Sequence, residues 1–136
     1  MPKKGPEIAG TLARVSLSLL QCEQYQAAEP LLLECLGLRD QQQPDHWTTA
    51  NTRSMLGGAL LGQQKYVEAE PLLLAGYEGL TGRLGEIPPP GMIRLPEAAD
   101  RLAQLYTALG RPDEAGRWRA NRDEYPPALT PAPSAK

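Results

Sequence analysis

Apolar and polar positions follow the period of a helix along most of the chain, and the helices come in pairs. Leu12, Val15, Leu19 and Leu20 recur at steps of three and four residues, which marks one face of a helix. The next stretch, Tyr25-Gln26-Ala27-Ala28-Glu29-Pro30-Leu31-Leu32-Leu33, returns as Tyr66-Val67-Glu68-Ala69-Glu70-Pro71-Leu72-Leu73-Leu74, offset by 41 residues without a gap. The preceding stripe returns with it, as Arg53, Leu56, Leu60 and Leu61. Each unit thus predicts a first helix, a short turn closed by Tyr25 or Tyr66, and a second helix. Helices are expected over 7–22 and 26–40, then over 46–63 and 67–84. Neither helix of a unit can bury its face alone, and stacking the units solves that.

The repeated phrase also predicts how helices touch. Ala28 and Ala69 fall in the first turn of the second helix, where little bulk permits close approach. Leu32 and Leu73 lie four residues further along the same side. Pro30 and Pro71 are read as lying near the helix start, where amide groups lack intrahelical partners and proline costs little. A third, weaker copy has helices over 96–109 and 113–124, with Leu102, Ala103 and Tyr106 in the first and Ala115 in the second. The step from Ala69 to Ala115 is 46 residues, and Pro88-Pro89-Pro90-Gly91 is expected to form a stiff polyproline spacer at this joint. The second helix of this unit is polar, as suits the end of a stack. Asp45 is the expected N-cap of the helix after Pro44. The fold class expected is all-α, an α-solenoid of about three antiparallel helix-turn-helix repeats, with units over 8–43, 46–87 and 94–125. Residues 1–6 read as a disordered arm and 126–136 as a Pro-rich disordered tail.

These residues resemble the tetratricopeptide repeat. With Ala28 and Ala69 on that motif's second-helix alanine, Gly57 falls on its small first-helix position. Val15 and Leu56 then fall on its leucine, and Leu32 and Leu73 on its second-helix aromatic. The Tyr-x-x-Ala-Glu-Pro-Leu phrase and the long period are similar to the kinesin-light-chain-like subtype. The stretches 51–62 and 87–90 resemble bacterial proteins, planctomycete ones above all, in which such repeats lie C-terminal to a serine/threonine kinase domain. The resemblance implies a scaffold that binds a protein or peptide. Kinesin-light-chain repeats often carry paired asparagines on the first helix to hold peptide backbone; here the matching positions are Ala13-Arg14, Ser54-Met55 and Asp100-Arg101. The basic clamp some relatives use for a terminal carboxylate is not recognisable either.

Composition narrows the function. At 136 residues the chain is one domain or less, with a net charge of −2, so no nucleic-acid partner is expected. With no Phe, the core must come from Leu, Ala, Val and Met. No apolar run approaches the length of a membrane span, so no membrane is expected, and the location expected is cytoplasmic. Cys22 and Cys35 do not make a disulfide framework, and Cys35 reads as a small buried residue. His46 is the single histidine and reads as a surface or capping residue. With no catalytic set, phosphate loop or metal spacing, the chain is read as no enzyme, with no cofactor and no metal. First-turn acids such as Glu68 and Glu70 suit the helix dipole.

The candidate binding face is the concave side formed by the first helices. It comprises Ala13, Leu17 and Gln21 in unit one, Asn51, Ser54 and Gly58 in unit two, and Asp100, Arg101 and Gln104 in unit three. The expected repeat-packing residues are Ala28, Leu32, Leu56, Gly57, Ala69, Leu73, Leu102, Tyr106 and Ala115. Gly58 either serves packing or leaves room for a ligand; Trp118 either packs on the preceding helix or anchors a neighbour. Two functions stay open: a groove that binds a protein or peptide partner, and a structural spacer or self-association repeat.

Overall fold

The computed structural model describes residues 4–124. Six helices follow one another, α1 (Lys4–Gln21), α2 (Tyr25–Gln42), α3 (Trp47–Gly62), α4 (Tyr66–Thr81), α5 (Arg94–Ala108) and α6 (Pro112–Glu124). Among the described residues there is no strand. The helices pack consecutively as three antiparallel pairs, which makes the chain an all-α solenoid of helical repeats. The expected tail, 126–136, and residues 1–3 of the expected arm lie outside the described residues. Lys4–Pro6 are not part of an arm, because α1 already begins at Lys4.

All three pairs turn the same way. Glu23, Gln64 and Gly110 each adopt positive φ, at 61°, 66° and 74°. In each, the following amide bonds back across six residues: Gln24 N to Leu19 O, Lys65 N to Leu60 O, and Arg111 N to Tyr106 O. The positive-φ residue itself bonds to Leu20, Leu61 or Thr107. This double bond is the Schellman arrangement, which ends a helix in the left-handed conformation. Only unit three places glycine there, and L-residues incur roughly 1–2 kcal/mol in that conformation. Gln64→Gly is therefore expected to raise stability by about 0.5–1 kcal/mol, the gain being reduced by glycine's greater freedom when unfolded. A urea melt of the variant checks this.

The packing at each joint uses small residues. Ala28, Ala69 and Ala115 are fully buried, and the other six expected packing residues are buried as well. A Cβ at Gly57 would come within 2.7 Å of the Leu73 side chain, so the missing methyl is where α4 presses on α3. Ser16 and Ala103 hold the equivalent place in units one and three, and both are buried. Helix α3 is buried on nearly every side from Thr49 to Leu60, since α1, α2, α4 and α5 all reach it.

Three local expectations change. Pro30 and Pro71 are the sixth residues of α2 and α4, beyond the four free amides. Each removes one helical bond, to the carbonyl of Gln26 or Val67. All four residues are exposed, so water can reach those carbonyls. Asp45 does not cap α3. His46 does, its ring Nδ1 accepting from the Thr48 amide at 3.2 Å, while Asp45 lies 3.8 Å from Arg83. The proline-rich joint is no straight spacer. It forms two 3-10 turns, Leu84–Glu86 and Pro89–Gly91, folded onto the start of α3. Ile87 is buried there, and Gly91 lies so close to Trp47 that a Cβ would sit 2.8 Å from the ring.

Candidate functional site

The first helices of the three units line one open cavity of about 440 Å³. Leu17, Leu20 and Gln21 come from α1, Gly58, Leu61 and Gly62 from α3, and Glu97, Asp100, Arg101, Gln104 and Ala108 from α5. Gln64 of the α3–α4 turn and the first residues of α2 and α4, Tyr25 and Tyr66, complete the lining. Six of the nine residues expected on this face thus line one cavity: Leu17, Gln21, Gly58, Asp100, Arg101 and Gln104.

The other three do not line it. Ala13 is half-buried elsewhere along α1. Asn51 is buried, its Nδ2 donating to Met55 Sδ at 3.4 Å while its Oδ1 has no protein partner. Ser54 is buried, with its Oγ accepting from Arg101 Nη1 at 2.8 Å. Both sit on the stretch of α3 from Thr49 to Leu60 that the neighbouring helices bury on nearly every side.

Residues that the sequence reading passed over form much of the wall. Tyr25 and Tyr66, like Leu20 and Leu61, are pairs separated by the repeat offset, so the offset itself was the signal that could have found them. Gly62 admits the Tyr25 ring, which occupies the space a Cβ would need. Gly58 has the same role toward Arg101: a Cβ there would lie 2.9 Å from Nε. Gly58 thus packs against Arg101 and also lines the cavity.

Arg101 lines the floor beside the carboxylates of Glu97 and Asp100. Burial pushes its guanidinium below the usual arginine range, with Glu97 and Asp100 opposing that and Arg94 adding to it. Arginine stays charged even so. The nearby acids are engaged elsewhere. Glu97 pairs with Arg94 at 2.8 Å, and Asp100 with Arg122 at 3.1 Å. Asp100 also accepts from Gln104 at 2.6 Å, and hydrogen bonds to Asp123 and Asp100 hold Arg122 above its ordinary range. Among the described residues, no carboxylate pairs directly with Arg101.

On the far side of α5, Tyr106 Oη donates to Glu70 Oε2 at 2.5 Å and ties unit three to unit two. Burial first, then this bond, pushes the phenol up to about 12. The folded value exceeds the ordinary one near 10. Its stabilisation is therefore complete below about pH 10 and lost as pH rises toward 12. In a pH series of thermal melts, Tyr106→Phe is expected to flatten the fall over that window and to lower stability by roughly 1.5–3 kcal/mol below it. Trp118 is half-buried and packs edge-on against Tyr77 of α4, with centroids 4.8 Å apart, so its ring contact is with the unit before and not with the preceding helix α5 as expected.

Cys22 is exposed and Cys35 is buried, its Sγ donating to Ala9 O at 3.3 Å; both are free thiols. Among the described residues, no group of three or more His, Cys, Asp or Glu side chains could hold a metal ion. No helix among them is long and apolar enough to cross a membrane. Fold and groove together define a helical-repeat solenoid with one open, mixed polar and apolar trough. Compared with protein-family models and with curated proteins, the chain matches none.

Proposed function

We propose that the chain is a non-catalytic interaction module, working in the cytoplasm, that binds an extended protein or peptide segment along the trough. The observation that carries this reading is Arg101. A half-buried guanidinium, held in place by Ser54 and seated on Gly58, faces the trough with no direct carboxylate partner among the described residues. The segment it suits bears an acidic side chain, flanked by apolar residues for Leu17, Leu20 and Leu61. The three glutamines, Gln21, Gln64 and Gln104, are placed to bond its backbone. The resemblance of the repeated Tyr-x-x-Ala-Glu-Pro-Leu phrase to the tetratricopeptide repeats, in the long kinesin-light-chain-like form found beside bacterial kinases, supports the same reading.

A peptide array tests it. Binders are expected to carry a carboxylate, and replacing that group by its amide should weaken binding about tenfold or more, as for loss of a charge-assisted bond worth roughly 1.5–3 kcal/mol. Arg101→Gln should produce the same loss without unfolding the chain. Equal binding by acid and amide peptides, or by wild type and a folded Arg101→Gln, would overturn the proposal.

A structural spacer is the second reading. The burial of Asn51 and Ser54 favours it, since two of the polar side chains expected on the binding face are used inside the fold.

A further inference from the structure

The strongest unexplained surface is the outer face of α1. Ile8, Leu12, Val15 and Leu19 form a stripe at spacings of four, three and four residues. Ile8 is 43% exposed and Val15 45%. The repeat offsets show what such positions do elsewhere. Thr49 and Leu56 on α3 are their equivalents and are 0% and 3% exposed; Leu95 and Leu102 on α5 are both fully buried. On α3 this face receives α2. Arg39 Nη1 donates to Thr52 Oγ1 at 3.0 Å, Arg53 pairs with Asp40, and Gln63 donates to Glu29 at 2.7 Å. On α5 it receives α4, through Tyr106 and Glu70. The stripe on α1 is thus the continuation of the interface that joins the units, built to take a helix.

We propose that a second copy of this chain covers it, α1 against α1, antiparallel about a two-fold axis. The end helix α6 is not suited to the place. Gly116, Arg119, Ala120 and Asp123 stand where Glu70, Leu73, Leu74 and Tyr77 stand on α4, and Arg119 is turned back to Thr107. Among the described residues, the remaining large exposed apolar side chains, Leu33, Val67, Leu84 and Leu109, come from four separate parts of the fold. The α1 stripe is complementary to itself. With Leu12 beside the axis, Ile8 of one copy meets Val15 of the other, so the two most exposed members of the stripe cover each other. The same register brings Glu7 of one copy within a turn of Arg14 of the other, unlike charges at both ends, with the helix dipoles opposed. The trough lies on another face, so this pairing is independent of peptide binding.

Sedimentation equilibrium on the full chain tests it. The wild type is expected to form a dimer and to grow no further. Val15→Glu should shift the chain to monomer with helix content kept, while Leu109→Glu should leave the dimer intact. Ile8→Lys is the second variant should Val15→Glu fail to fold; it too lies at an exposed position and should yield folded monomer. A wild type that stays monomeric into the millimolar range, a dimer indifferent to both α1 variants, or open-ended growth with concentration would each overturn the proposal.

Discussion

Leu73→Ala is expected to lower the free energy of unfolding by about 2–5 kcal/mol, measured as a fall in the urea midpoint at unchanged slope. Leu73 is fully buried and lies against Gly57, in the middle unit where neighbours press from both sides. The site cannot collapse to fill the gap, because Gly57 has no side chain to move and the helix backbones are held by the flanking units. Leu74, one residue on, is half-buried beside Trp118, and the same truncation there should cost clearly less. Equal losses at both positions would mean that the α3–α4 contact is looser than the geometry implies.

Gly76→Val is the second large effect. A Cβ at Gly76 would lie 2.7 Å from the Ser54 amide nitrogen and 2.9 Å from the Ala50 carbonyl oxygen. These are backbone atoms of the most enclosed helix, so they cannot swing aside as a long side chain would. A loss of about 3 kcal/mol is expected. Gly37 is the contrast. It lies inside α2 with nothing near its would-be Cβ, and Gly37→Ala should stabilise by up to about 1 kcal/mol through helix propensity alone. Opposite signs for the two variants in thermal or urea melts would separate glycine kept for contact from glycine merely tolerated; a shared sign would contradict the packing.

Much of this was legible in the chain. The phrase at Tyr25 and Tyr66 carried the offset, and the offset carried the helix pairs and the buried alanines. The turns were not legible in detail. Glutamate and glutamine are not left-handed formers, and only the alignment of Glu23 and Gln64 with Gly110 betrays the shared conformation. The proline joint was misread because its shape comes from Trp47 and Ile87, which draw it onto α3, and not from the prolines themselves. Six residues of the trough could be placed by repeat position alone. Asn51 and Ser54 could not, since a helix enclosed by four others loses the exposed side that the pattern assigns it. That Arg101 fills the space over Gly58 is a contact between units, 43 residues apart in the chain, which no local pattern encodes.

The enclosure of α3 has a consequence for how the chain opens. In a stack where each unit touches only its neighbours, the ends can come loose while the centre holds. Amides of α3 are then expected to exchange with solvent only when the whole stack fails, whereas those of α6 escape by lesser fluctuations. On that expectation the chain opens less like a switch with two positions than like a zipper, with α3 as the last tooth to part.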